Sequence, residues 1–248
     1  MINDSHIHVG QFYDTYTSPQ DLSLLMTDLG VDRYAVSSTT VCEKNFSKVL
    51  KEIQSLIDID GERIIPVLWI SPEFFLDKGL MKNFLESGII WRCIKIHPDW
   101  QPNVWTENLN RQKLIKLARR LNVPILIHTG GHDYSESIVW EQIIKDNPDQ
   151  KFILAHSRPF SQAISMISKY ENAYGDLAFV DASDYKELHN KFISRKFLWG
   201  SDLPILNRFI NRDMKTYYNE LLGRLRDSVD EREFEQITKI NFDNLYKS

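Results

Sequence analysis

Five short apolar segments of this 248-residue chain each carry, at their ends, side chains that bind metal ions or move protons, and that recurrence limits the folds open to it. The first, 2–9, holds Asp4, His6 and His8 just before Gly10. A β-strand sends alternate side chains to one face. Asp4, His6 and His8 then share one face, and Ile7 and Val9 take the other. Two neutral imidazoles side by side are well placed to hold a divalent metal. Lys95 and His97 close segment 92–97, His128 closes 124–128, His156 closes 151–156 and Asp202 closes 196–202. Any one of them alone is most simply a hydrogen-bonded core group. Burying the whole set without a use for it would cost far more.

Between these segments the spacing turns helical. Ser18 and Pro19 start a helix that Gly30 stops, after a polar loop over 10–18. Apolar stripes or helix-forming runs predict further helices over 46–59, 74–86, 108–121, 135–146, 160–169, 185–194, 212–226 and 231–240. Strands are expected at 2–9, 32–38, 64–70, 92–97, 124–128, 151–156, 172–179 and 196–202, the seventh carrying the weakest pattern. Alternating strands and helices with short loops mean a parallel sheet with helical crossovers. Eight such repeats in this length fit an α/β fold, a closed (β/α)8 TIM barrel with extra C-terminal helices, as one domain over 1–248. An open doubly wound sheet is the alternative, but no Gly-x-Gly-x-x-Gly follows the first strand. In a barrel the C-terminal strand ends meet on one face, where barrel enzymes carry their active sites.

Composition narrows the partners. A net charge of −4, spread along the chain, gives no reason to expect nucleic acid or a membrane surface. Cys42 and Cys93 are far apart and suit a reducing compartment. The N-terminus lacks an apolar leader, and no run approaches the ~20 apolar residues of a membrane helix. The expectation is a cytoplasmic protein with a small-molecule substrate; a homodimer remains open.

The motifs DSHIHVG, IKIHPDWQ, PILIHTGG, FILAHSRP and FLWGSDLP together resemble the strand-end motifs of the amidohydrolase superfamily. The nearest part is the amidohydrolase-related branch, which contains lactone hydrolases and aromatic-acid decarboxylases. The closing INFDNLY, Ile240 to Tyr246, is similar to that branch's usual C-terminus, and 172–179 is the poorest match.

The resemblance implies that His6, His8, His128 and Asp202 hold one divalent ion, Zn2+ first and Mn2+ as the alternative. Three nitrogens and a carboxylate leave a position for water. Asp202 then takes that water's proton, and His156 faces the substrate to polarise its carbonyl or pass a proton. Lys95 and His97 are contacts to a second metal or to substrate. In two-metal relatives a lysine at this strand is carboxylated and bridges the ions; here Lys95 is read as an unmodified amine, with Asp4 as one candidate partner. Arg158 suits bidentate binding of a substrate carboxylate. Tyr13, Trp100, Trp105 and His132 lie on rim loops suited to lining a pocket.

The function expected is a metal-dependent hydrolase, using a metal-activated water on a small amide, ester or lactone. The alternatives are a metal-dependent non-oxidative decarboxylase of a small aromatic or unsaturated carboxylic acid, and a non-catalytic metal-binding barrel.

Overall fold

The computed structural model describes residues 1–100, 105, 107–209 and 212–246. Its strands are β1 (Ile2–Phe12), β2 (Thr15–Thr17), β3 (Val31–Ser38), β4 (Ile64–Trp69), β5 (Cys93–Ile96), β6 (Ile125–His128), β7 (Phe152–Ala155), β8 (Ala173–Asp176) and β9 (Phe197–Leu198). From β1 through β3 to β9 every neighbouring pair is parallel. The ring closes because the chain beyond β9 runs along β1. Ser5 N–H donates to Trp199 O at 2.9 Å, Asp202 N–H to His6 O at 2.8 Å and His8 N–H to Leu203 O at 2.7 Å. The result is a (β/α)8 barrel with β2 added to β1 as an antiparallel hairpin.

Local chemistry explains most element ends. Ser18 caps helix Pro19–Asp28 by accepting from Asp21 N–H, and Asn45 caps Phe46–Asp60 through Lys48 N–H. The helices at Asn108–Leu121 and Phe160–Lys169 match their apolar spacing. Inside the barrel, Ala35, Ile65, Val67, Cys93, Leu126, Ile153, Ala155 and Leu198 form a small apolar core. Phe242, Leu245 and Tyr246, from the last described helix, plug its lower end. Among the described residues no helix is long and apolar enough to cross a membrane.

Several elements differ from expectation, each for a visible reason. The loop 10–18 contains the end of β1 and all of β2, because β1 runs on past Gly10 and the chain reverses at Tyr13, φ 53°, and Asp14 into a hairpin. The helix over 74–86 is two helices, Glu73–Leu76 and Lys78–Leu85; Asp77 turns outward and recaps the second by accepting from Gly79 and Leu80 N–H. Over 135–146 only Glu141–Asp146 is α-helical, since Ser137 bonds to Arg158 O across to the next loop. The helix at 185–194 shortens to Lys186–Asn190, and the strand at 196–202 to Phe197–Leu198. At 231–240 the α-helix ends at Glu235, and a π-turn carries Gln236–Ile240 into Asn241–Leu245. A register irregularity between Asp4 and Ile7 breaks the alternation of β1. Asp4 therefore does not meet Lys95; it accepts from His6 and Ser201 N–H, and from the Tyr218 hydroxyl.

Candidate active site

The strand ends bring the polar residues together at the C-terminal mouth. β1 supplies His6 and His8, β5 and the turn after it supply Lys95, His97 and Asp99, and β6 supplies His128. The turns after β7, β8 and β9 supply His156 with Arg158, Phe179, and Asp202. They surround a cavity of about 400 Å3 whose wall includes His8, Lys95, His97, His128, His156, Arg158 and Asp202. Trp69, Trp100, Phe12, Phe179 and Phe209 complete it with aromatic surface. Three of these residues have left-handed backbones without being glycine: His156 at φ 67°, Phe179 at 60° and Asp202 at 59°. Each such conformation costs on the order of 1–3 kcal/mol and persists only where the surroundings impose it.

Hydrogen bonding assigns the imidazole tautomers at the β1–β9 seam. Asp176, at the end of β8, sits 2.8 Å from His6 Nδ1, so that nitrogen donates and Nε2 bears a lone pair. The other oxygen of Asp176 is held by His156 and Ala178 N–H at 2.7 and 3.1 Å. His8 Nδ1 lies 3.0 Å from Ser37 Oγ and 3.3 Å from Ser37 O, which leaves its Nε2 as the acceptor as well. Both lone pairs converge on one place. Lys95 Nζ donates to His6 Nε2 at 2.7 Å and to His8 Nε2 at 3.0 Å. Asp202 Oδ1 stands 3.1 Å and 2.9 Å from the same two nitrogens. Three electron-rich atoms facing one another in a buried space need a cation; here the Lys95 ammonium serves the two imidazoles, and the donor set also fits a divalent metal. His6, His156 and Asp202 each place a ligand atom within 4.8 Å of the other two.

The opposite wall is a histidine relay. Asp99 Oδ2 is 3.3 Å from His128 Nε2, and His128 Nδ1 is 3.0 Å from His156 Nε2. His156 Nδ1 is buried without a hydrogen-bond partner among the described residues. His97 lies flat between Trp69 and His128, with ring centroids 5.5 and 3.7 Å away.

Burial sets the protonation states. It pushes His8 down to about 3, aided by the Lys95 charge, and holds His97 and His156 well below the usual range. His128 is lowered for the same reason. Burial lowers Lys95 to about 8 against the pull of Asp202 and Asp176. Burial works to raise Asp202, but His6, His8 and Lys95 outweigh it and hold the carboxyl below its ordinary value.

The rim residues separate. Arg158 lines the cavity, with its Nε bonded to Thr129 O at 3.2 Å and its guanidinium 5.7 Å from the Phe179 ring. A Cβ on Gly130 would strike the Arg158 side chain, so the bare backbone there lets the guanidinium lie down. Trp100 lines the cavity, whereas exposed Tyr13 packs outside it, 6.2 Å from the Trp100 ring. His132 is also outside, stacked on Tyr134 and 3.3 Å from Asp99. Trp105 is buried away from the cavity against Phe75. Sequence reasoning missed Asp176, Asp99 and Phe179. Asp176 ends the strand with the weakest pattern, and Asp99 lies within IKIHPDWQ, where its spacing from His97 was a usable signal.

Comparison with known proteins agrees with this architecture. The chain is similar in fold to 4-oxalomesaconate hydratase from Rhodopseudomonas palustris, with a TM-score of 0.70 and 15% identity over 99% of this chain and 95% of that one. It is similar to a probable 2-pyrone-4,6-dicarboxylic acid hydrolase from Acinetobacter baumannii with citric acid bound, with a TM-score of 0.68 and 14% identity over 100% and 99% of the two chains. It is also similar to 2,6-dihydroxybenzoate decarboxylase from Rhizobium, with a TM-score of 0.64 and 12% identity over 99% and 98%. No curated protein matches the chain by sequence. The amidohydrolase family model matches residues 78–241, well over half of the sequence, and the chain belongs to that family.

Proposed function

We propose that this protein is a metal-dependent hydrolase of a small amide, ester or lactone that carries a carboxylate. The observation that carries the reading is the convergence of His6 Nε2, His8 Nε2 and Asp202 Oδ1 beside a cavity that Arg158 enters. His6, His8 and Asp202 would hold one divalent ion, zinc by preference and manganese as the alternative, with the fourth nitrogen from the His128–His156 pair. Such an ion makes water acidic enough to attack near neutral pH.

The chain's own groups supply the rest. Asp202 is ionised and stands beside the two nitrogens that would hold the ion, so its carboxylate would receive the proton of the attacking water. His156, held neutral, lines the cavity and would accept or donate a proton at Nδ1, which has no hydrogen-bond partner among the described residues. Arg158 clamps the substrate carboxylate, and the aromatic wall covers the substrate's apolar faces. Substrate carboxylates fit the relatives, whose named substrates include a dicarboxylic acid and a benzoate. Lys95 remains an amine, so the metal-to-protein ratio is one; a ratio of two would reject this.

A second reading, non-oxidative decarboxylation, is favoured by one observation: Arg158 and the aromatic wall equally suit an aromatic acid. Turnover of the zinc-loaded protein in 18O-water separates the two. Label entering the product supports hydrolysis. Carbon dioxide release without label overturns it and establishes the lyase.

A further inference from the structure

A second cavity of about 250 Å3 adjoins the first and uses three of its wall residues, His8, Phe12 and Ile205. Its other walls are Val9, Gly10, Thr15, Thr17, Thr39 and Pro204. It exists because β1 continues past Gly10 and folds back through β2, which places Thr15 and Thr17 opposite the turn after β9. Among the described residues no Asp, Glu, Lys or Arg lines it. The Thr39 hydroxyl is committed to Val9 O at 3.0 Å, whereas the Thr17 hydroxyl has no hydrogen-bond partner among the described residues.

We propose that this cavity is a second subsite, which takes an uncharged arm of the substrate while the reacting, carboxylate-bearing part occupies the main cavity. The proposal rests on the main cavity being the reaction site. Three features argue for it. Apart from the His8 imidazole at the shared edge, the lining is apolar or hydroxylic, so a charged arm would lose its hydration without gaining a charged partner. The volume is several times the ~30 Å3 of a liquid water molecule, so a four-carbon chain fits. His8 and the Phe12–Ile205 partition belong to both cavities, so an arm passing between Phe12 and Ile205 leaves its parent group beside His8 and Asp202. The wall is built largely by the N-terminal hairpin and would select for arm length rather than for reaction type.

The test uses the zinc-loaded protein and non-hydrolysable probes, read by isothermal titration calorimetry and by the fluorescence of Trp69 and Trp100. The probes are 3- and 4-methoxybenzoate, the matching butoxybenzoates, and the corresponding benzyl alcohols. Three added methylenes buried in an apolar cavity should tighten binding roughly tenfold or more for at least one isomer. Thr17→Phe, or Thr15→Phe if the first variant folds poorly, should erase that gain and leave the methoxy probes unchanged. Ile205→Ala should enlarge it. The proposal is overturned if chain length has no effect in either isomer, or if the gain survives both filling variants. The acid–alcohol difference reads Arg158 separately. Loss of that difference with the chain-length gain intact would reject the carboxylate clamp and keep the subsite.

Discussion

The two mouths of the barrel share the same strands and have opposite chemistry. At the lower mouth Phe242, Leu245 and Tyr246 close the interior over Cys93, Ile65 and Leu126. The Cys93 thiol and Tyr246 phenol buried there stay neutral: burial pushes the thiol up to about 12 and the phenol well above its usual value. At the upper mouth Lys95, Asp176 and Asp202 are buried, and His156, Phe179 and Asp202 hold left-handed backbones. One strand shows the change within five residues, as β5 and its turn go from Cys93 through Lys95 to His97. The lower mouth is optimised for packing. The upper one gives up packing and relaxed backbone to hold charges close, as expected where chemistry is done.

That contrast can be broken by substitution. The largest effect should come from His6→Ala, which removes a lone pair from the cation cradle; metal analysis should find the protein stripped and activity at background. Full metal content in this variant would remove His6 from the ligand set. Asp202→Asn should keep weakly bound metal yet lose roughly 10²–10⁴-fold in kcat, because an amide cannot take the water's proton. A larger change in KM than in kcat would reject that role. His156→Ala should retain metal and lose on the order of 10²–10³-fold in turnover. If it empties the site, His156 rather than His128 supplies the fourth nitrogen, as its position near His6 and Asp202 allows.

At the other mouth, Phe242→Ala should cost about 3–5 kcal/mol of stability by leaving a hole under the barrel. Metal affinity should not change. If it weakens with stability, the two mouths are coupled and the comparison fails.

A gentler contrast is with pH. His8 is held down at about 3 by burial, against an ordinary 6.5. The folded metal-free protein thus binds fewer protons than the unfolded chain, and its stability is full above pH 6.5 and lost as pH falls from there through about 3. Denaturant midpoints measured across that window should show the slope in wild type and in Phe242→Ala alike, and His8→Asn should reduce it, with buried His97, His128 and His156 supplying the remainder. The smallest effect expected is for Trp100→Ala, at the open edge of the cavity, with metal content unaltered and KM raised a fewfold by the loss of one aromatic wall.

The sequence by itself determined the alternation of strands and helices, the cap at Ser18, the helices Asn108–Leu121 and Phe160–Lys169, and which strand ends bear histidine, lysine or aspartate. These are local properties, set by period, turn chemistry and burial over a few residues. Only the tertiary structure decided that Asp176 fixes His6, that Asp99 and His156 grip the two nitrogens of His128, and that Asp4 turns away to Ser201 and Tyr218. It alone produced the hairpin that walls the second cavity. Each of these follows from closing the sheet. Once Ser5, His6 and His8 bond to the chain at Trp199, Asp202 and Leu203, strand ends nearly two hundred residues apart become neighbours, and no local periodicity encodes which side chains then meet.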